Sequence, residues 1–572
     1  MPDTASKSAR PIRDAADAYV GALAELDPLL ATRLGLKSGQ DLLPDLSPAG
    51  HQASDELDRA TLATLAALTQ ASAPAGETGD AAADERRCAR LLRERLTAGL
   101  AKSEADEHLR NVSNIFGPMP QIRSSFVIMP TASHDDWATV ARRLGRVPEA
   151  LAGYRASLAE GTRRGLLAAP RQVRTMMGQL AQWQAAGDGR GWYAEFAAGA
   201  GAPAPLQADL DKAAAAATAA HAELRDWLGA SYLPRTGGVP DGVGDERYRV
   251  TARYWSGADI DPLDAYAWGW SEYLSLREQM ATEAGRVLPG ASAGEAMAHL
   301  NQHGEIIDGP EQIRRWLQDR MDEAIADLSG THFDLADRVK AVEARLAPAG
   351  TAAAPYYTPP SQDFTRPGRT WLPTLGETRF PVWHLVSTWY HEGVPGHHLQ
   401  YGQWTHLAEQ LSVYQTSVGT VSACTEGWAL YAERLMDELG YLARPGARLG
   451  YLDAQLLRAI RVVIDIGMHL ELRVPADSPM APGEVWLPEL AGDFFNAHTG
   501  RGRAFVDSEI VRYLGAPGQA ITYKLGERAW LAGRGAAQAH QGSAFDLKSW
   551  HMAALSLGSL GLDDLATELA AA

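Results

Sequence analysis

Only two cysteines, Cys88 and Cys424, occur in 572 residues. They are too few for a disulfide framework and too far apart in sequence for a thiolate metal cluster, so any bound metal must take nitrogen and oxygen ligands. Positive charge is also short. The 53 Lys and Arg residues against 70 Asp and Glu leave a formal charge of −17. No local basic patch offsets this, which argues against a nucleic-acid partner. No run of 18 apolar residues is present, and the opening "MPDTASKSARPIRDAADAYV" has no apolar segment of the secretory kind. Neither a membrane span nor export is therefore expected, and the expected compartment is the cytoplasm. Strand-like alternation is rare, confined to "ERYRVTARYW" (246–255) and "RTWLPT" (369–374).

Apolar residues at three and four spacing are abundant, as in "ATLATLAALTQ" and "CARLLRERLTAGLA", and predict amphipathic helices. Gly- and Pro-rich stretches at 71–83, 198–206, 234–244 and 347–368 predict the loops between helical blocks. The expected fold class is mainly α with a small β-sheet. An N-terminal helical part, 1–240, is separated from a C-terminal part, 241–572, that carries the chemistry, and helices of the two interleave around one cleft.

Five of the 16 histidines fall within 23 residues: His384, His391, His397, His398 and His406. A helix is expected to start at Pro381 and to run through "VWHLVSTWYHEGV", with Trp383, Leu385, Val386 and Trp389 on its buried side. "HEGVPGHH" (391–398) begins like the zinc-peptidase signature, in which histidines four apart flank a glutamate, but the fourth residue is Pro395. On an unbroken helix His391 and His397 would lie about 9 Å apart along the axis and about 240° apart around it. His398 would face the same way as His391 at about 10.5 Å, still too far to share an ion. A metal site therefore requires the helix to bulge or end at Pro395 and Gly396, the residues suited to break it. Then His397 falls where the second ligand belongs, and Glu392 is placed to activate water rather than to bind metal. His384 and His406 have no motif around them and are read as structural.

A catalytic zinc site takes three protein ligands. "ACTEGWALYAERL" (423–435) predicts a helix carrying Glu426 and Glu433 seven residues apart on one face, and either can look toward His391. Tyr513 and Tyr523 are the natural phenols to stabilise the charge that amide hydrolysis develops on oxygen. Asp465 and His469, four apart on a helix, are spaced for a carboxylate that orients a histidine behind the metal, with His469 as a direct ligand the lesser reading.

The stretches "YYTPPSQDFTRPG", "HEGVPGHHLQ", "EGWALYAE", "RVVIDIGMH" and "RYLGAPGQAITYKLGE" resemble the bacterial DUF885 family, whose members look like distant relatives of gluzincin metallopeptidases. The resemblance, with a weaker match at "DIDPLDAYAWGW", spans most of the chain. It implies a helical fold with a deep cleft. It also favours His397 over His398 as second ligand and Glu426 over Glu433 as third, leaving His398 and Glu433 as supporting residues. Arg366, Arg461 and Arg512 lie in matching stretches and are the expected contacts for an anionic substrate terminus, since arginine offers a bidentate fork. The expected activity is zinc-dependent hydrolysis of short peptides or a small amide with one Zn2+, by a dipeptidase- or carboxypeptidase-type enzyme. No nucleic acid or membrane partner is expected, and oligomeric state is not addressed by the sequence. Two alternatives use the same residues. One is a non-haem iron oxygenase with a two-histidine, one-carboxylate set, which would have no need of Glu392. The other is a non-catalytic peptide- or metabolite-binding protein.

Overall fold

Alanine- and leucine-rich segments with one apolar stripe have to bury that stripe against each other, and here they do so in a computed structural model that describes residues 10–72, 80–347 and 354–572. Among the described residues there are 24 α-helices and five short strands, so the fold is mainly α. Strands β1 (Ile306–Asp308), β2 (Val342–Leu346), β3 (Tyr356–Thr358), β4 (Gly368–Leu372) and β5 (Arg379–Pro381) form two small sheets. One is the antiparallel pair β1–β5; the other has order β2–β4–β3, with β2 parallel and β3 antiparallel to β4.

Two hydrophobic cores organise the helices. The smaller is built from Leu29 and from residues between Val112 and Tyr232. The larger joins residues from Ile12 to Leu96 with the chain from Tyr248 to Leu569. The smaller core thus ends near the expected boundary at 240, while the first helices belong with the C-terminal part. Of the expected loops, 198–206 and 234–244 separate helices as read. Residues 73–79 and 348–353, parts of the other two, lie outside the described residues.

Two local expectations are corrected. The segment expected as a strand at 246–255 is helix Asp245–Ser256, bracketed by Gly244 and by Gly257 in the left-handed conformation. Its buried residues Tyr248, Thr251, Ala252 and Ser256 follow a helical period, which outweighs the strand preference of Tyr, Val and Thr. The other strand, at 369–374, is present as β4. Pro381 does not begin a helix. It closes β5 opposite Ile306, and the helix starts at Leu385 after a turn in which Leu385 N donates to Val382 O.

Four helices surround the histidine cluster: Leu385–Glu392, His397–His406, Ser422–Glu438 and Ala447–Leu470. A fifth, Thr522–Gln541, crosses Ser422–Glu438 at a pair of glycines. A Cβ on Gly526 would lie 2.0 Å from Ala423 O, and one on Gly427 would lie 2.4 Å from the Gly526 carbonyl carbon. Backbone touches backbone there, so Glu426 and Tyr523 are held at a separation that a larger residue would change. Gly450 lets the Ala447–Leu470 helix approach Trp383 O in the same way, where a Cβ would sit at 2.3 Å.

Candidate metal centre

The chain does not run as one helix through "HEGVPGHH". The first helix stops at Glu392, residues 393–396 turn with a cis Val394–Pro395 peptide, and a second helix starts at His397. Gly396 N donates to Tyr390 O at 3.0 Å and His398 N to Gly393 O at 3.0 Å, which spans the break with hydrogen bonds. Trp428 Nε1, from the Ser422–Glu438 helix, donates to Pro395 O at 2.9 Å and also reaches Gly396 O at 3.2 Å. Glycine is needed at 396, because a Cβ there would sit 2.0 Å from His391 O. The geometric demand of the sequence is met by two helices and a turn.

The turn brings the two imidazoles edge to face, with ring centroids 4.8 Å apart. Glu426 Oε2 lies 3.4 Å from His391 Nε2 and 3.6 Å from His397 Nε2. The ligand atoms of these three residues all fall within 4.8 Å of one another, and among the described residues they are the one such group. His391 and His397 are buried. Glu426 Oε2 is buried with no hydrogen-bond partner among the described residues, as is His397 Nδ1. Burial alone would lower the His391 pKa, but the carboxylates of Glu426 and Glu433 outweigh it and push the imidazole up to about 9. The same contest at Glu426 ends the other way round: burial would raise it, yet the two imidazoles hold it well below the usual carboxylate range. A pocket of this kind favours an added positive charge, and two nitrogens with one oxygen are a donor set that zinc accepts.

Supporting contacts fix these side chains. Glu433 Oε1 accepts from His391 Nδ1 at 2.9 Å, and its other oxygen accepts from Ser387 Oγ. This pair puts the proton on Nδ1 and leaves Nε2 facing Glu426. His398 has both nitrogens engaged: Nε2 donates to Val339 O at 2.6 Å and Nδ1 accepts from Tyr357 OH at 2.9 Å. A ring so committed has no lone pair for a metal, which separates His398 from His397 on physical grounds. Gly368 keeps room for that contact, since a Cβ there would lie 2.4 Å from His398 Nδ1.

Glu392 is buried, and its carboxylate has no hydrogen bond to any described residue. Burial raises its pKa, opposed by His391 and His397. Tyr523 is half-buried, and its hydroxyl likewise has no hydrogen bond to a described residue. Burial and the charge of Glu426 keep this phenol protonated, with its pKa raised. Arg461 lies 4.8 Å over its ring.

The remaining predicted residues are placed differently. Tyr513 OH donates to Glu509 Oε2 at 2.7 Å and accepts from Arg461 Nε at 2.9 Å, so its single proton is committed. Arg461 Nη2 also binds Glu509 at 2.8 Å, and Arg512 binds it through Nε at 2.9 Å and Nη2 at 2.8 Å. Arg512 Nη1 is taken by Gln519. Asp465 accepts from Tyr248 OH at 2.7 Å and from Gly518 N at 3.0 Å, while its other oxygen stands 3.8 Å from His469 Nε2. His469 Nε2 donates to Tyr513 O at 3.2 Å, so Asp465 and His469 brace the Tyr513 region rather than the three-ligand group. Arg366 is half-buried beside Tyr357, and its guanidinium bonds only Pro367 O, at 3.3 Å, among the described residues. His384 is half-buried and His406 exposed, with neither in the cluster. A cavity of about 450 Å³, lined among others by His51, Lys102, Arg247, Trp255 and Pro517, contains none of the predicted site residues.

Two residues near the centre were not singled out from sequence. Tyr401 packs its ring 6.1 Å from His397 and 6.0 Å from Tyr357. Arg458 approaches Glu433 at 3.9 Å. Its position three residues before Arg461, on the same helical face, was the available signal.

The family described as "bacterial protein of unknown function (DUF885)" matches residues 28–569. The chain belongs to the DUF885 family. Two solved structures share this family member's fold, and each is described as a "putative lipoprotein". The one from Colwellia psychrerythraea has a TM-score of 0.83 and 21% identity, covering 98% of both chains. The one from Shewanella oneidensis, described as of unknown function, has a TM-score of 0.74 and 18% identity, covering 98% of this chain and 99% of its own. No curated protein matches the chain. No helix among the described residues of this DUF885 chain is long and apolar enough to cross a membrane.

Proposed function

We propose that this protein is a zinc-dependent hydrolase of amide bonds in short peptides or small aminoacyl compounds. The observation that carries the reading is the pairing of the three-ligand group, within 4.8 Å, with an unbonded carboxylate on the residue next to His391. His391, His397 and Glu426 would hold one zinc ion, which when bound supplies Lewis-acid chemistry that acidifies water and polarises a carbonyl. Glu392 takes the proton of the attacking water as the new C–O bond forms at the carbonyl carbon. Glu392 then passes that proton to the nitrogen as the C–N bond breaks, giving a carboxylic acid and an amine. Tyr523, whose hydroxyl is uncommitted, donates a hydrogen bond to the carbonyl oxygen as it gains charge. Glu433 keeps the His391 ring in one tautomer and orientation throughout.

A binding protein or an iron oxygenase would use the same three ligands, but neither has work for a free carboxylate beside them. The experiment is Glu392→Gln. The variant is expected to keep its zinc, measured by elemental analysis, while hydrolysis of a dipeptide library falls by about 1000-fold or more. Undiminished hydrolysis by that variant rules out the mechanism.

A further inference from the structure

Other arginines around the site, buried or half-buried, have a carboxylate close by: Arg434 at 2.7 Å from Glu527, Arg461 and Arg512 each at 2.8 Å from Glu509, and Arg448 at 3.0 Å from Asp437. Arg458 is different. Its side chain is only 13% exposed, yet its nearest carboxylate oxygen, Glu433 Oε1, is 3.9 Å away. Nη1 is used on the carbonyl of Ala454 in its own helix at 3.1 Å. Nε is buried with no partner among the described residues. Glu433 does not need this arginine as a hydrogen-bond donor, because His391 Nδ1 and Ser387 Oγ already occupy its two oxygens. A guanidinium removed from water without a tight partner is costly, and a carboxylate is the partner its planar fork fits.

Position says which part of a ligand completes it. Arg458 stands behind His391, beside Glu433, on the helix that also carries Arg461 under the Tyr523 ring. Glu433, which it approaches at 3.9 Å, holds His391 Nδ1 at 2.9 Å, and the residue after His391 is Glu392. An anion held by Arg458 is thus close to the group that delivers the proton to the leaving nitrogen.

Resting on the hydrolase reading, we infer that Arg458 binds the free carboxylate of the residue whose nitrogen leaves. The substrates are then dipeptides or N-acyl amino acids ending one residue after the bond that is cut. Arg366, which has no ion-pair partner among the described residues, lies beside Tyr357 and is the competing candidate.

The test uses the zinc-loaded full-length protein and two dipeptide libraries, one of free acids and one of C-terminal amides, with each member followed by mass spectrometry. Wild type is expected to consume free acids and spare the amides. Arg458→Ala is expected to lose on the order of 100-fold on the acids, bringing the acid-to-amide ratio toward one. Arg458→Lys should recover part of that ratio, since it keeps charge without the fork. Binding is read separately by calorimetry in the Glu392→Gln background, where the acid form of the best library member should bind more tightly than its amide, and Arg458→Ala should erase the difference. If either Arg458 variant folds poorly, the wild-type acid-to-amide ratio and the Glu392→Gln calorimetry still decide. Equal use of acids and amides by wild type, a ratio unchanged in Arg458→Ala, or a ratio that collapses instead in Arg366→Ala overturns the inference and leaves the hydrolase reading standing. If wild type cleaves neither library, it is the hydrolase reading that fails.

Discussion

At Glu509 both carboxylate oxygens accept hydrogen bonds, from Arg461, Arg512 and Tyr513, and the cluster is complete within the protein. At Glu426, one short step away across Tyr523, a buried oxygen has no hydrogen-bond partner among the described residues and two imidazole nitrogens face it at 3.4 and 3.6 Å. Each cluster gathers basic side chains around one glutamate in the interior. What separates them is satisfaction of their polar atoms: the closed cluster holds helices together, and the open one leaves a carboxylate oxygen without a hydrogen bond beside two imidazoles.

Removing one member from each cluster gives the largest contrast. His397→Ala or Glu426→Ala is expected to reduce bound zinc from about one per chain to near zero after dialysis, measured by elemental analysis, with the metal-free protein melting close to metal-free wild type. Glu509→Gln is expected to do the reverse, keeping zinc while lowering stability by about 3–5 kcal/mol in denaturant titration, because two buried arginines lose their counter-charge. Equal zinc loss in both variants would merge the two clusters into one.

The tyrosines on either side of the divide make a finer test. Tyr523→Phe is expected to lower kcat by about 100-fold with KM little changed, because a donor to the developing charge is removed. Tyr513→Phe removes a hydroxyl that both donates to Glu509 and accepts from Arg461, so about 1–3 kcal/mol of stability is expected to go while kcat is retained. A kcat loss confined to Tyr513→Phe would reverse the assignment.

The smallest effect concerns pH. Burial holds the Asp465 carboxyl up at about 7, against the hydrogen bonds from Tyr248 and Gly518. The folded state therefore keeps this proton more tightly than the unfolded chain does. Its contribution to stability is present below about pH 4 and is lost as the pH rises to about 7. The melting temperature of Asp465→Asn relative to wild type is expected to rise by a few degrees across that interval in calorimetry. A difference that stays flat with pH would show that Asp465 remains ionised throughout.

Much of the centre was legible because its chemistry is local in sequence. His391, Glu392, Pro395, Gly396 and His397 lie within seven residues, and the impossibility of a straight helix there follows from helical pitch alone. Glu426 against Glu433 could not be decided by spacing, since residues seven apart share a face; the decision comes from which atoms meet His391 Nε2 and Nδ1. The commitment of Tyr513 and Arg512 to Glu509 was illegible for a related reason. Glu509 sits outside the matching stretches, and a side chain's partner depends on tertiary contact. The segment at 246–255 misled because Tyr, Val and Thr favour strands while burial followed the period of a helix.

Because His391 and His397 stand on separate helices joined by residues 393–396, the distance between them is a property of turn length and not of helical pitch. A pattern search that insists on histidines four apart will pass over such proteins. One that allows a short turn bracketed by glycines between the two histidines, followed about thirty residues later by a glutamate next to a glycine, would gather them.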